Sequence, residues 1–214
     1  MTLPNNEPKW RRQPDERPHQ ITRAALAVFS QKGYRAATMQ EIAEEAGISK
    51  GAIYLYFESK MDLFVATLRT QFQAVLDLFA EIRLDQGQNV EELTRRVGIQ
   101  SLRVLMSPEV TQALPLVIGE YPHMPELKQL YFEEILTKSD LQAARLIEMG
   151  QAMGLLRPMN PAIAARCLLG AFFMFALTQE VFGAKEFTPM DPEEIVETIV
   201  DIYAHGMLTA EAQA

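Results

Sequence analysis

The sequence predicts an all-α protein of about nine helices, and three observations support this prediction. Apolar residues recur every three or four positions along most of the chain, as they do on helices with one buried face. No stretch alternates apolar and polar residues convincingly over the length of a strand. With 214 residues, 48% of them hydrophobic, the chain can bury a sizeable core in one domain or two. Helix-start signals, in which an N-cap residue directly precedes a proline, stand at Ser107-Pro108, Asn160-Pro161 and Asp191-Pro192.

The chain opens with a polar, proline-rich stretch, residues 1–18, which predicts a flexible arm. Within it, Lys9, Arg11 and Arg12 flank Trp10, the only tryptophan. A contact to the minor groove or to phosphates is one interpretation of these cations. An inert tail is the favoured alternative, because acidic residues nearly balance the positive charge.

The first helix is predicted from about residue 17 to Gly33. Ile21, Ala25, Val28 and Phe29 fall on one face of such a helix and form its buried side. This helix would support the two short helices that follow, so the N-terminal part is expected to be a three-helix unit.

Residues 38–60, TMQEIAEEAGISKGAIYLYFESK, predict two short helices joined by a turn. Thr38 and Glu41 have the spacing of a capping box, which satisfies free N–H groups at the start of a helix. Gly47 stands where the first helix should end, since glycine accepts the left-handed conformation. Ser49 is a suitable N-cap for the second helix.

The second short helix is unusual for a core element. It begins with Lys50 and Gly51 and continues with Tyr54 and Tyr56, which a buried helix would not favour. Small residues and a cation at the start of a helix suit entry into a DNA major groove, where close approach and phosphate pairing both matter.

Further helices are predicted from capping pairs and prolines. Ser59 with Asp62 begins a long helix that runs to about residue 80, and Asn89 with Glu92 begins the next. Later elements are expected near 108–121, 126–153, 161–182 and 192–208, with Gly154 as a stop signal.

Composition limits the class of protein. The single cysteine, Cys167, excludes an internal disulfide, fits a reducing cytoplasm and is expected to be a buried small hydrophobe, since it lies in CLLGAFFMFAL. The N-terminus lacks the apolar core of a secretory signal. The apolar run 167–177 is shorter than the roughly 20 residues of a membrane span, so no membrane partner is expected.

Charge is unevenly distributed. The net charge is −8, but residues 1–62 carry nine Lys or Arg against eight Asp or Glu, whereas the remainder carries eleven against twenty. An acidic protein can bind DNA when a local surface supplies the cations, and this distribution permits such a surface.

Two other patterns resemble catalytic or metal-binding motifs but lack the context that those motifs need. Residues 47–51 match the G-x-S-x-G pattern of a hydrolase, but that motif needs a strand before the serine, and a helical pattern precedes Ser49. Glu120 and His123 have the E-x-x-H spacing of di-iron bundles, yet Pro122 lies between them and no second pair exists. We therefore predict no catalytic residue, metal or cofactor, and no enzyme.

The segment AALAVFSQKGYRAATMQEIAEEAGISKGAIYLYFESKMDLF resembles the DNA-binding domain of the TetR family of bacterial transcriptional regulators. The rest of the chain resembles AcrR-type members of that family in layout only. The resemblance implies an arm at 1–18, a helix-turn-helix domain at 19–62, and a helical effector-binding and dimerisation domain at 63–214. It also implies a homodimer formed by the last two long helices.

Residue roles are likewise implied by the resemblance. The residues expected at the operator are Ser49, Lys50, Gly51, Ala52 and Tyr54, with Thr38, Tyr56 and Lys60 at phosphates. Ile53 and Leu55 are expected to pack inward. Candidates for lining an effector cavity are Met106, Leu114, Val117, Tyr121, Tyr131, Phe172 and Phe175, because apolar, aromatic and methionine side chains suit adaptable pockets.

The function expected is a cytoplasmic repressor released from a palindromic operator by a small hydrophobic or amphipathic effector. An activator of the same fold is the alternative within the family. An interaction protein that does not bind DNA, or an all-α enzyme, would belong to other classes; the first predicts no salt-dependent DNA binding, and the second needs convergent titratable groups.

Overall fold

The computed structural model describes residues 16–78, 82 and 89–207, and it contains ten α-helices in these ranges. The helices are α1 (Arg17–Ala36), α2 (Met39–Glu45), α3 (Lys50–Ile53), α4 (Lys60–Asp77), α5 (Val90–Leu105), α6 (Pro108–Glu120), α7 (Pro125–Gln129), α8 (Thr137–Ala152), α9 (Pro161–Ala176) and α10 (Pro192–Met207). The predicted all-α class is confirmed. The tenth helix arises because a π-helical segment, Leu130–Leu136, divides the predicted element 126–153 into α7 and α8.

The predicted helix-start signals are confirmed. The side chains of Ser59, Asn89, Ser107, Asn160 and Asp191 each accept a hydrogen bond from a backbone N–H two or three residues further along. Each helix therefore begins with one of its free N–H groups satisfied.

The chain forms two compact units, Met1–Thr70 and Gln71–Ala214. In the first unit, α1 packs on α2 and α2 on α3. The face predicted for α1 is buried, and its helical backbone is interrupted at Gly33, where the sequence predicts its end. Of the predicted arm, residues 1–15 lie outside the described residues, and Arg17 already belongs to α1.

An aromatic cluster forms the centre of the first unit. The ring of Phe29 meets that of Phe64 edge-on, with 4.9 Å between centroids, and the ring of Tyr34 lies 4.7 Å from that of Phe64. Such arrangements are favourable beyond the area they bury. Phe29 and Phe64 are both fully buried.

The second unit packs α8 on α9, α10 on α5, and α5 on α9. One cluster of buried side chains centres on Leu102, Phe172 and Val196, and another on Ala144 and Ile147. Each cluster joins helices that are far apart in sequence, so the helices of the second unit are held together by two regions of core.

Helix α9 is less buried than the sequence indicates. Cys167 is exposed, so its expected burial is wrong, and Ile163 and Met174 are 63% and 55% exposed. The reason is that α9 buries one side within the protomer and leaves another apolar side uncovered. The helix continues through a π-turn, and Pro161–Val181 is long and apolar enough to cross a membrane by length and composition alone. Helices that bury apolar faces against protein share these properties.

Candidate nucleic-acid interface and ligand cavities

A tight turn sets the relation between α2 and α3. Gly47 has a φ of +65°, which suits glycine because it has no side chain to clash. Its N–H donates to the carbonyl of Glu44 at 3.0 Å, and the N–H of Ile48 donates to that of Ala43 at 2.9 Å. This pair of bonds is a Schellman motif, so α2 stops at a fixed residue and α3 leaves at a fixed angle.

The start of α2 carries the predicted capping box. Thr38 Oγ1 accepts from the N–H of Glu41 at 3.2 Å, and Glu41 Oε2 accepts from the N–H of Thr38 at 2.9 Å. Lys32 Nζ lies 2.6 Å from the other Glu41 oxygen. The hydrogen bond from Lys32, followed by those from Thr38, lowers the pKa of Glu41 to about 2. The ionised form of Glu41 therefore stabilises the junction of α1 and α2.

Replacing Glu41 with glutamine should test this charge, since glutamine can still complete a capping box. A depressed pKa stabilises the fold above the carboxyl group's ordinary pKa of 4.5, and that contribution is lost as pH falls through about 2. We expect E41Q to be less stable than the parent at pH 7, with a difference that narrows between pH 4.5 and 2. Hydrogen exchange of α1 and α2 amides measures this, with E45Q on the same helix as control. A pH-independent difference would contradict the prediction.

The start of α3 presents its side chains to solvent. Ser49 Oγ accepts from the N–H of Ala52 at 3.2 Å and caps the helix as predicted. Lys50 and Gly51 are exposed beside it, and Ala52 is half-buried. Ile53 is fully buried and holds the helix against the unit.

Both tyrosines after α3 lie at the surface, where Tyr54 is 46% and Tyr56 41% exposed. The predicted second helix is shorter than expected: α3 ends at Ile53, and residues 54–56 form a turn. Leu55 is consequently 81% exposed, so the expectation that it packs inward is wrong. Phe57 is buried instead. The expectation for Leu55 assumed that the helical spacing continues, whereas the chain leaves the helix at residue 54. Leu55 is thus a surface residue whose exposure the helical spacing of the sequence did not predict.

Lys60 makes more internal contacts than the sequence indicates. Its ammonium donates to the carbonyls of Tyr34, Arg35 and Ala37 at 2.8, 3.3 and 2.9 Å. It also lies 4.5 Å from the centroid of the Tyr34 ring, a cation–π distance. Lys60 therefore links the first residue of α4 to the end of α1 and the loop before α2.

The structure supports neither the hydrolase pattern at residues 47–51 nor the di-iron pattern at Glu120 and His123. Helix α2, not a strand, precedes Ser49, which excludes a hydrolase elbow. Helix α6 ends at Glu120, and His123 lies in the following turn. Among the described residues, no group of three or more His, Cys, Asp or Glu side chains could hold a metal ion.

Described residues of the second unit line two apolar cavities, here named A and B. Cavity A is lined by residues of α5, α8, α9 and α10, and cavity B by residues of α4, α5, α6, α8 and α9. Of the predicted cavity residues, Leu114 lines cavity B and Phe172 lines both.

Four of the other predicted cavity residues lie outside both linings. Met106 and Phe175 pack against the cluster around Leu102 and line neither cavity. Val117 is buried and Tyr121 half-buried, outside both linings, and the side chain of Tyr131 is not among those described.

Family comparisons agree with this geometry. Residues 21–67 match the family described as bacterial regulatory proteins, tetR family. Residues 92–205, more than half of the chain, match the family described as AefR-like transcriptional repressor, C-terminal domain. The chain belongs to the TetR family of transcriptional regulators. It is accordingly a DNA-binding helix-turn-helix regulator and a member of a non-enzymatic family.

Individual relatives match either most of the chain or about a quarter of it. The regulator YdgC of Bacillus subtilis is 26% identical over 190 residues, 88% of this chain and 91% of its own. The activator FasR of Mycolicibacterium smegmatis is 49% identical over 55 residues, 26% of this chain and 25% of its own. A solved TetR-family structure from Mesorhizobium loti has a TM-score of 0.75 at 24% identity, covering 93% of this chain and all of that one. The last comparison shows the fold.

Proposed function

We propose that this TetR-family chain is a homodimeric repressor that binds a palindromic operator and is released by a small hydrophobic or amphipathic effector. The observation that supports it best is the exposed start of α3, where Lys50 and both following tyrosine rings face solvent. In this proposal residues 1–18 are an arm, 19–62 read DNA, and 63–214 bind effector and partner. A regulator of bacterial genes acts in the cytoplasm, where its operator is.

The DNA contacts divide into two sets. Residues 49–52 at the start of α3 and Tyr54 in the turn after it would read base edges. All of them except the half-buried Ala52 are exposed, and an α-helix fits the major groove. The first set is Ser49, Lys50, Gly51, Ala52 and Tyr54. The second set, Thr38, Tyr56 and Lys60, would hold phosphates, which fix the register but carry no sequence information directly.

Replacing Tyr54 with alanine should weaken specific operator binding by about 1–3 kcal/mol, since the exposed ring would lose contacts to base edges. The fold should persist, because the ring is 46% exposed. Binding to the operator and to unrelated DNA is measured by fluorescence anisotropy. F132A is the matched control, an aromatic ring that is 57% exposed in the second unit. Equal operator affinity of Y54A and the parent would reject the role of Tyr54.

Replacing Lys60 with alanine should lower affinity for every DNA sequence and reduce the slope of log K against log salt by about one, as expected for one phosphate contact. The internal bonds of Lys60 supply a second way to lose affinity, through a displaced α3. The salt slope distinguishes these two causes. If Lys60 acts only through its internal hydrogen bonds, K60A lowers the affinity for DNA but leaves the slope unchanged. K50A is the comparison, because it removes an exposed cation that makes no internal hydrogen bond or ion pair among the described residues.

The dimer would form through α9 and α10. Ile163, Cys167, Gly170 and Met174 follow one another at spacings of four, three and four residues, and all four are exposed in the protomer. Ile202 of α10 is 62% exposed as well. An exposed apolar face of this kind is typical of a protein–protein interface. Two-fold symmetry then places two recognition helices in successive major grooves of a palindromic site.

The effector would act through cavity B. Phe72 and Val75 of α4 line it, and α4 begins at Lys60. A ligand that displaces α4 would change the separation of the two recognition helices. A 100-fold change in operator affinity needs only about 2.7 kcal/mol of differential ligand affinity between the two states.

A repressor is favoured over an activator by the match to the AefR-like repressor domain, whereas FasR is named an activator. Genomic footprinting with the purified protein tests the proposal, followed by transcription from the recovered site in cells with and without the gene. We expect a palindromic footprint, salt-dependent binding and higher transcription without the protein. Lower transcription would indicate the activator, and no footprint at any salt concentration would indicate an interaction protein.

A further inference from the structure

Cavities A and B have a common wall. Ser101, Leu169 and Phe172 line both of them. The Phe172 side chain is 2% exposed and belongs to the buried cluster that joins α5, α9 and α10. The two cavities are therefore neighbours separated by one layer of side chains, and Phe172 is the largest member of that layer.

The position of the Phe172 ring depends on a glycine. A Cβ atom at Gly98 would lie 2.7 Å from Phe172 Cζ and 3.0 Å from Val196 Cγ1. The ring consequently packs directly on the backbone of α5, at a place that a side chain would occupy. Only nonpolar contacts hold it there, and empty space adjoins the wall on both sides. Rotation of the ring into either cavity breaks no hydrogen bond.

The charged groups that line the cavities are already paired. In cavity B, Arg166 Nε lies 2.9 Å from Asp140 Oδ2. In cavity A, Glu91 pairs with Arg95 Nη2 at 2.9 Å. The hydroxyl of Ser101 donates to the carbonyl of Val97 at 2.7 Å. A charged ligand group would find no unpaired opposite charge among these described residues, and its desolvation would go uncompensated.

We propose that the two cavities form one divided site for an elongated, uncharged, largely aliphatic ligand, and that the ligand displaces the Phe172 ring to occupy both. This inference rests on the proposed effector-controlled function and names the ligand class of its site. The cavities hold about 110 and 150 Å³, the size at which an apolar cavity takes up one small apolar molecule. A ligand too short to reach the wall would occupy one compartment only.

The test uses hexan-1-ol and decan-1-ol as probes, with binding to the full-length protein measured by calorimetry. Each added methylene should tighten binding about fourfold while it is buried. In the parent protein, displacing the Phe172 ring costs part of the binding free energy that the added methylenes supply. We expect F172A to bind decan-1-ol at least about tenfold more tightly than the parent does, and hexan-1-ol within about threefold. F175A is the matched control, because Phe175 packs on the same cluster but lines neither cavity.

A second measurement keeps the inference testable if F172A does not fold. The parent protein is labelled with 4-fluorophenylalanine, and F172L identifies the resonance of residue 172. Decan-1-ol should shift that resonance and hexan-1-ol should not. If decan-1-ol binds and the resonance of residue 172 does not shift, the proposal that Phe172 separates the two cavities and is displaced by the ligand is overturned.

The remaining outcomes separate the two proposals. If F172A changes the affinity for both alcohols equally, the divided site is overturned while the effector proposal stands. If decanoate or decyltrimethylammonium binds more tightly than decan-1-ol, the uncharged ligand class is overturned. If no probe binds the parent or the variants, these cavities are not an effector site, and that part of the proposed function fails with the inference.

Discussion

Replacing Met174 with glutamate is expected to convert the protein to a monomer and to reduce operator affinity by about 10²–10⁴-fold, the gain that linking two binding heads supplies. Met174 is 55% exposed in the protomer and lies in the apolar stripe of α9. A carboxylate there meets solvent in the monomer, so the subunit should fold. In a dimer the same carboxylate would be buried without a partner, which costs several kcal/mol.

Sedimentation and operator binding measure the two effects together. L141E is the matched control, since Leu141 is 53% exposed and lies on α8, which is not one of the two helices of the proposed interface. It should remain dimeric with unchanged operator affinity. A dimeric M174E with full affinity would show that α9 does not form the interface, whereas a monomer with full affinity would show that the dimer is not needed for operator binding.

Replacing Phe64 with alanine should destabilise the first unit by about 3–5 kcal/mol, the range for removing a buried phenylalanine. Its ring is fully buried and contacts the rings of both Phe29 and Tyr34. Domains of ordinary stability have only about 5–15 kcal/mol to lose, so this change removes a large part of the stability of the first unit. Operator binding should fall with it, because α2 and α3 are positioned by this core.

Hydrogen exchange resolves the prediction by region, and amides of α1–α3 should lose protection more than those of α8–α10. L55A supplies the comparison: Leu55 is 81% exposed, and its loss should change stability by less than about 0.5 kcal/mol. Protection in α1–α3 equal to that of the parent would mean that the aromatic cluster contributes little.

Local signals in the sequence predict the local parts of this fold. A cap before a proline, as at Asn160, involves four consecutive residues, and its hydrogen bond forms whatever the rest of the chain does. The turn at Gly47 and the capping box at Thr38 are predictable for the same reason. The candidate DNA surface follows from these elements, so most of its exposed residues could be named from the sequence.

Features that depend on distant neighbours escaped prediction. The exposure of Cys167 depends on which side of α9 the protomer covers, and a helix that is apolar except for Arg166 has no broad polar face to indicate it. The three carbonyls that bind Lys60 lie more than twenty residues earlier in the chain. Phe172 was predicted to line a cavity, but its place between two cavities depends on the close approach of Gly98.

The two glycines beside the candidate reading surface should behave differently in a saturation library. Any other residue at Gly47 meets a left-handed backbone, which costs L-amino acids roughly 1–2 kcal/mol, so a screen for folded protein alone would deplete variants there. Gly51 does not have a positive φ, and a Cβ atom added there would meet nothing within 4 Å. Variants at position 51 should therefore be depleted only in a screen that requires operator binding. The extent of that depletion would indicate how closely the DNA approaches the backbone of α3.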